Sequence, residues 1–242
     1  MHIADRCIGC RQCWPYCPVG AIGPTEDGRR SQVCLDQCVE CNTCLRARIC
    51  PVGAFELRPL DYPRSLRSTF SDVMSPHKST GVLGRGTEEM KTNDVTGRLP
   101  EGRVNVSVEL GRPGISASFA DVQVLTRTLA GLGVHFQEEN PVTSLMTDPR
   151  SGDLRPEILG ERVLSALIEL DLEQDRLPAL VAAISAAQAS VDTVFSVAAA
   201  EPIPQQEAEA PLLSLLREQG IFHRPNGKTN VGLGKPFREV AS

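Results

Sequence analysis

The chain lacks the features of a membrane-spanning or nucleic-acid-binding protein. Its apolar stretch from Leu177 to Ala189 is only helix-sized and Asp192 follows it, so it does not reach the length of a membrane span. No strongly basic patch is present, and the formal net charge of the 242 residues is −5, which argues against a nucleic-acid partner. We therefore expect neither a membrane nor a nucleic acid among its partners.

The chain also lacks a recognisable catalytic constellation. It has no Ser, His and Asp grouping, no general acid and base pair at motif spacing and no nucleotide fingerprint. His135 has no second His or Cys at metal spacing, and we expect packing or exposure for it, as for His77 and His223. We name no catalytic residue and expect a non-catalytic component rather than an enzyme in its own right.

Cysteine, by contrast, is concentrated at one end of the chain. Eight of the nine cysteines form two runs before residue 51, Cys7-x2-Cys10-x2-Cys13-x3-Cys17-Pro18 and Cys38-x2-Cys41-x2-Cys44-x5-Cys50-Pro51. Three thiolates at two-residue intervals can hold three corners of a 4Fe-4S cubane, and the fourth cysteine of such a run ligates the other cluster. This rule assigns Cys7, Cys10, Cys13 and Cys50 to cluster I and Cys38, Cys41, Cys44 and Cys17 to cluster II.

Disulfides and structural zinc are the alternative uses of these cysteines. Disulfides need an oxidising compartment, yet the segment MHIADRC has neither the charged nor the apolar region of a signal peptide. Zinc prefers paired Cys-x2-Cys knuckles, and a third cysteine at the same interval has no role in a tetrahedral site. We therefore favour clusters and expect a soluble, cytoplasmic protein, in which thiolates stay reduced.

Residues 1–58 resemble bacterial dicluster ferredoxins through CIGCRQCWPYCPVGAI and CVECNTCLRARICPVGAF. The resemblance implies two hairpins and two short helices, related by a pseudo-twofold and packed around two 4Fe-4S clusters. The second run departs from the family by having five residues, Leu45 to Ile49, where three are common. Cys50 remains the expected fourth ligand of cluster I.

Three further residues near the runs have open roles. Cys34 lies in a predicted short strand, and free cysteine behaves as a small buried hydrophobe, so we expect it to pack. A substitute ligand is the alternative. Trp14 and Tyr16 lie between Cys13 and Cys17 and either shield a cluster from water or pack in the ordinary way.

Charge within residues 1–58 is unusual for the resembled family, whose freely diffusing members are typically acidic. Seven arginines stand against six acids here. Positive charge near a cluster favours its reduced form. The arginines that flank the ligands are candidates for tuning the potential or for meeting an acidic partner, the alternative being a plain solvated surface: Arg6, Arg11, Arg46 and Arg48.

Residues 59–102 are rich in Pro, Ser, Thr, Gly and charge and show no sustained periodicity. A connection of this length without regular structure is usually functional or a linker. We interpret it as an extended arm that lies on a partner subunit or, alternatively, on the second domain of the same chain.

Residues 103–200 predict a βαββαβ domain, so the fold class is α+β. The expected strands cover 103–109, 143–146, 162–172 and 191–197; one helix begins at Ser118 or Asp121, and the other covers 173–190. That order closes into a four-stranded antiparallel sheet with both helices on one face, the split βαβ arrangement.

The segment Leu110-Gly-Arg-Pro-Gly-Ile, followed by a helix and Gly-Leu-Gly-Val-His-Phe, resembles the opening of an ACT domain. The resemblance implies an amino-acid effector site lined by Arg112, Gly114 and Ile115, and homodimers that pair through their sheets. A purely structural or dimerising module is the alternative.

Residues 201–242 read as a Pro-rich linker, a short amphipathic helix over 211–219 and a polar tail. A helix this short is marginal alone, so its leucines need a surface, for which we favour a partner. Together these features predict an electron-transfer subunit that serves a catalytic oxidoreductase subunit or another redox partner. The alternatives are a regulatory protein that uses the ACT-like domain, and a simple ferredoxin with a dimerisation appendage.

Overall fold

The computed structural model describes residues 1–84, 86, 99–112, 114–202 and 211–223. It has a small N-terminal part that carries the cysteines and a larger part built around a four-stranded sheet. Over the described ranges, no helix combines the length and apolar character needed to cross a membrane.

The N-terminal part is framed by two short antiparallel ladders, β1 with β4 and β2 with β3. Its elements are β1 (His2–Ile3), β2 (Ile22–Pro24), β3 (Ser31–Val33), α1 (Thr43–Arg46) and β4 (Phe55–Glu56). Because β1 pairs with β4, the beginning and the end of this part lie together, which brings the two cysteine runs side by side. A 3-10 turn at Trp14–Tyr16 lies in the first run, between its third and fourth cysteines, and α1 begins just before the third cysteine of the second.

The segment that follows is not structureless in its described portion. Residues Ser65–Ser71 form helix α2, whose Phe70 is buried with its ring centroid 5.2 Å from that of Phe119. The backbone amide of Leu164 donates to Ser71 Oγ at 2.8 Å. This portion of the expected arm therefore packs on the chain's own body, while residues 85 and 87–98 lie outside the described residues.

The larger part contains most of the regular structure. Its elements are β5 (Arg103–Leu110), β6 (Ala117–Ser118), α3 (Phe119–Ala130), β7 (His135–Phe136), β8 (Met146–Asp148), β9 (Asp153–Leu154), β10 (Arg162–Val163), β11 (Ala166–Glu173), α4 (Leu177–Ala187), β12 (Phe195–Ala200) and α5 (Pro211–Glu218). The main sheet has the order β12-β5-β11-β7 and every neighbouring pair is antiparallel.

The central strands are covered on both faces, although the alternation of Val104, Val106 and Val108 with polar residues in the sequence predicts a half-buried strand. Val104, Val106 and Val108 are fully buried, and so, nearly, are the intervening Asn105 and Ser107. The polar face is hydrogen-bonded, as burial requires: Asn105 Nδ2 donates to Asp171 Oδ1 at 3.0 Å.

Helix α3 begins where its sequence predicts. Ser118 Oγ accepts from the amide of Asp121, and the Asp121 carboxylate accepts from the amide of Ser118, which completes a capping box. Val122, Leu125 and Leu129 form the buried face, as the periodicity of the sequence predicts. Helix α4 is shorter than expected, since 3-10 turns flank it at Gln174–Arg176 and Gln188–Ser190.

The remaining strands differ from the prediction. The second strand of the sheet is His135–Phe136, whereas Thr143–Leu145 is a 3-10 turn and Met146–Asp148 pairs with β9 in a separate ladder. The predicted third strand is divided, because Arg162–Val163 pairs with β6 before β11 enters the main sheet. The last strand is Phe195–Ala200, later than predicted.

Helix α5 covers most of the predicted range and packs inward. Leu212 and Leu216 are buried and belong to the same hydrophobic core as the main sheet and α3. The expectation that these leucines pack against a partner is therefore wrong. Residues 224–242 of the predicted tail lie outside the described residues.

Candidate iron-sulfur cluster sites

A cavity in the N-terminal part is lined by cysteines of both runs. Its empty volume of about 340 Å³ includes space open to solvent, and its cysteines are Cys7, Cys10 and Cys13 of the first run and Cys50 of the second. The remaining lining is largely apolar: Ile3, Ile8, Arg11, Gln12, Ser31, Val52, Ala54 and Phe55. The structure thus brings together the four residues predicted for cluster I.

A second cavity of about 340 Å³ lies beside the other cysteines. It is lined by Cys38, Cys41 and Cys44 of the second run and by Cys17 of the first, the four residues predicted for cluster II. Its remaining lining is Met1, Pro18, Val19, Ala21, Ile22, Val33, Val39, Glu40 and Asn42. Each cavity therefore takes three cysteines from one run and the fourth from the other.

The turn after the fourth cysteine has the same geometry in both runs. The amide of Ala21 donates to Cys17 Sγ at 3.1 Å, and the amide of Ala54 donates to Cys50 Sγ at 3.2 Å. The intervening glycines have φ values of 65° and 60°, which glycine adopts without strain. The two extra residues before Cys50 therefore leave this turn unchanged.

The Cys-x2-Cys-x2-Cys loops also match in backbone conformation. Gly9 and Glu40 occupy equivalent positions with φ of 68° and 54°, and Arg11 and Asn42 follow with 60° and 57°. A Cβ on Gly9 would lie 2.0 Å from the carbonyl oxygen of Arg29, so only glycine fits there. The two runs hold one loop geometry with different residues.

Glu40 is a buried acid at the wall of the second cavity. Its carboxylate accepts hydrogen bonds from the amino-terminal ammonium of Met1 and, at 2.6 Å, from Arg64 Nη2. Burial alone would raise the pKa of the Glu40 carboxyl, but these bonds outweigh it and lower the pKa. A buried carboxylate thus lies at the cavity wall in its ionised form, paired with two cations.

Burial also changes the chemistry of the thiols. It raises the pKa of Cys13 and of Cys38, and it raises the pKa of Cys44 to about 12 with help from the neighbouring Cys41, Cys38 and Cys17 sulfurs. Cys17 belongs to the first run. Its effect on the pKa of Cys44 shows that its sulfur lies within electrostatic reach of the second run. Because bound metal deprotonates a thiol outright, four clustered thiols suit an iron-sulfur group.

Helix α2 fastens the second cysteine loop to the larger part of the molecule. The buried guanidinium of Arg67 donates from Nη1 to the carbonyls of Leu35, Asp36 and Cys38 at 2.9–3.0 Å. Its Nε pairs with Glu161, which precedes β10. Sequence reasoning missed Arg67, since one arginine in a polar segment carries no pattern.

Two of the four flanking arginines hold the backbone near the cysteines. Arg6 donates from Nε to the carbonyl of Gly53 at 3.0 Å and pairs with Glu56 at 2.7 Å. Arg46 donates to the carbonyl of Cys41 at 2.7 Å and pairs with Asp72.

The other two flanking arginines are exposed, as are Arg6 and Arg46. Arg11 lines the first cavity and its guanidinium lies 5.2 Å from the centroid of the Trp14 ring. Arg48 is also exposed, and neither described cavity includes it among its lining residues.

Neither Cys34 nor the aromatic pair is among the lining residues of the two cavities described above. Cys34 is exposed, so the expectation that it packs is wrong. Trp14 Nε1 donates to Ser31 Oγ at 2.9 Å, which ties the first run to β3, and Tyr16 is exposed. The linings of both cavities come from other residues.

The turn predicted to bind an effector lies against the cysteine part. Arg112 is exposed with its guanidinium 3.9 Å from the Glu109 carboxylate, and Ile115 is exposed. Gly114 approaches Pro18 so closely that a Cβ would lie 3.2 Å from the Pro18 carbonyl oxygen. The turn is therefore adjacent to Cys17.

Comparison with known proteins assigns the N-terminus to a cluster-binding family. Residues 1–23 match the 4Fe-4S binding domain model. The N-terminus thus carries a 4Fe-4S ferredoxin domain that indicates cluster binding. No solved structure matches the chain.

Three similar proteins carry oxidoreductase or synthase names. The chain is 42% identical over 55 residues to pyruvate synthase subunit PorD of Thermotoga maritima, covering 23% of this chain and 52% of that protein. It is 31% identical over 97 residues to the archaeal-type glutamate synthase [NADPH] of Dehalococcoides mccartyi, covering 37% and 19%. It is 42% identical over 52 residues to a subunit of the ion-translocating oxidoreductase complex of Methanosarcina acetivorans, covering 22% and 18%. The chain thus spans about half of the first relative and under a fifth of the other two.

Proposed function

We propose that this chain is an electron-transfer protein that holds two 4Fe-4S clusters and exchanges electrons with a separate catalytic oxidoreductase subunit. Cluster I is ligated by Cys7, Cys10, Cys13 and Cys50, and cluster II by Cys38, Cys41, Cys44 and Cys17. The observation that carries the proposal is the pair of cavities, each lined by four thiols drawn from both runs. The similarity to a pyruvate synthase subunit and to a subunit of an ion-translocating oxidoreductase complex supports the same role.

Bound 4Fe-4S clusters supply reversible one-electron transfer at potentials set by charge, hydrogen bonds and solvent. The protein's own residues provide those settings. The amides of Ala21 and Ala54 donate to the fourth sulfur of each run. Buried Val39 and Ala54 exclude water from the cavity walls, and Arg67 fixes the carbonyl of Cys38.

The proposed domains are a dicluster ferredoxin domain at 1–58, a connecting segment at 59–102, an ACT-like domain at 103–200 and a C-terminal segment at 201–242. The antiparallel order β12-β5-β11-β7 and the buried helices α3 and α4 support the βαββαβ assignment. Homodimers through this sheet belong to the same proposal.

A regulatory role is the second candidate, and one contact favours it. Gly114, in the turn where an ACT domain would hold an amino acid, lies against Pro18, the residue after Cys17. A ligand held by Arg112, Gly114 and Ile115 would therefore alter the surroundings of cluster II.

An anaerobic pull-down with a redox titration separates the two candidates. The electron-transfer role predicts copurification with a catalytic oxidoreductase subunit that reduces or oxidises both clusters. A homodimer that binds no such subunit, and whose melting temperature rises with one amino acid, would overturn it in favour of the regulatory role.

A further inference from the structure

The two cavities are built alike, but the loops that line them differ in exposure to solvent. Ile8, between the first two cysteines of its run, is 62% exposed, while Val39 at the equivalent position is 1% exposed. Cys10 is exposed and its counterpart Cys41 is buried. The third cysteines differ in the opposite sense, since Cys13 is buried and Cys44 half-buried. Among the residues that line the two cavities, the exposed ones are Ile8, Cys10, Arg11 and Gln12, all at the first cavity. We call residues 8–12 the cluster I edge.

The loop of the second cysteine run is fastened to helix α2 and to Arg64, the residue before it. Arg67 binds the carbonyls of residues 35, 36 and 38 and pairs with Glu161. Arg64 donates to the carbonyl of Leu35 at 3.0 Å and to the Glu40 carboxylate. The second loop is therefore packed against the chain itself, while residues 8–12 of the first loop are exposed to a redox partner, apart from the half-buried Gly9.

Charge distinguishes the two cavities as well. Among the described lining residues, Arg11 is the one charged side chain of the first cavity, and it has no acidic partner in the described ranges. In the second cavity the charged groups are paired with each other, since the Glu40 carboxylate binds both Arg64 and the Met1 ammonium. The cluster I edge thus combines an exposed apolar residue, Ile8, with an uncompensated positive charge.

We propose that the cluster I edge is the docking surface for an acidic redox protein, and that electrons cross between the two proteins at cluster I. The proposal rests on the function proposed above and adds the site and the charge of the partner. Opposite charge steers two proteins together and fixes their orientation. Ile8 provides the apolar centre of such a contact, from which water is excluded when the partner binds.

The test compares two redox probes of opposite charge. The protein is reduced with dithionite, freed of excess reductant and mixed anaerobically with flavodoxin, an acidic flavoprotein, or with cytochrome c, a basic haem protein. Each event moves one electron from the protein to the probe, forming the flavin semiquinone with one proton from water or converting ferric to ferrous haem. Second-order rate constants are measured at low and high salt.

Arg11→Asn and Arg11→Glu are matched with Arg48→Asn and Arg48→Glu. Both arginines are exposed and have positive φ, so each pair makes the same charge change on a similar backbone. Asn42 already occupies the equivalent of position 11 in the second run, so Arg11→Asn suits the loop.

We expect Arg11→Glu to slow the low-salt reaction with flavodoxin on the order of tenfold and to speed that with cytochrome c. High salt should remove both differences, because the effect is steering. Differences that persist at high salt, or equal effects of the Arg48 variants, would overturn the docking surface. Iron counts on every variant keep the two claims apart, since loss of clusters from the unmodified protein contradicts the proposed function, whereas intact clusters with unchanged rates contradict the docking surface alone.

Discussion

Arg67 and Glu161 form a largely buried ion pair that joins helix α2 to the segment before β10. The same guanidinium holds the carbonyls of Leu35, Asp36 and Cys38. The loop of the second cysteine run and the larger part of the molecule are therefore fastened through one side chain, which makes the geometry at Cys38 depend on residues more than a hundred positions away.

Replacing Arg67 with Met should destabilise the protein markedly. The change leaves the Glu161 carboxylate and three carbonyls without their partner, and removing one member of a buried pair costs about 3 kcal/mol. For a chain of this size the melting temperature should fall by roughly 6–12 °C. Arg150→Met is the control, since that side chain is 92% exposed, and its effect should stay below about 2 °C. Equal melting temperatures for the two variants would contradict the role of Arg67.

Phe70→Ala tests whether residues 59–84 belong to the core. The Phe70 ring lies edge-on to both Phe119 and His77, and truncating a buried Phe costs about 3–5 kcal/mol. We expect a loss of cooperative thermal unfolding or a large fall in melting temperature. Val73→Ala, at an exposed position two residues beyond the helix, should change little. A Phe70→Ala protein that melts like Val73→Ala would show that α2 does not pack.

His77 should make stability depend on pH. Burial lowers the pKa of His77, although its bond to the carbonyl of Gly84 acts in the opposite direction. The unfolded chain then binds more protons than the folded one below about pH 6.5, so stability is complete above that pH and is lost as the pH falls.

The pH dependence is measured as the change in melting temperature between pH 7.5 and pH 5.5. His77→Gln cannot titrate and should lose less stability than the unmodified protein over this interval. His135→Gln, at an exposed position, should keep the original slope. If His77→Gln retains the full slope, another group is responsible.

Exchange of the fourth cysteines between the runs is tested by four variants. Cys17→Ala should lose cluster II and resemble Cys38→Ala in the EPR spectrum of the reduced protein. Cys50→Ala should lose cluster I and resemble Cys7→Ala. Each variant should retain about four irons per chain. A Cys17→Ala spectrum that matches Cys7→Ala would mean that each run ligates its own cluster.

The features that sequence predicts here are those encoded in spacing. The cysteine intervals, with the rule that the fourth cysteine of each run ligates the other cluster, group the residues that the structure brings around each cavity. The apolar period of residues 119–130 predicts the buried face of α3. Helix α2 and strand β7 are seven and two residues long, too short to show a period. Such elements depend on tertiary contacts, as with Phe70 against Phe119.

Other features arise only from contacts between distant residues. The contact of Arg67 with Cys38 joins two segments about thirty positions apart, and no local pattern marks it. The difference in solvent exposure between Ile8 and Val39 has the same origin, because both residues are apolar and occupy equivalent positions in their runs. Repetition in the sequence predicts the similarity of the two sites, whereas their environments follow from the rest of the fold.

The most direct test of two clusters is the amount of iron and acid-labile sulfide per chain in anaerobically purified protein. We predict about eight of each, the sum of two cubanes, and the same amounts in Cys34→Ala, because Cys34 lies outside both cavities. About four irons and four sulfides, or bound metal without sulfide, would contradict the account.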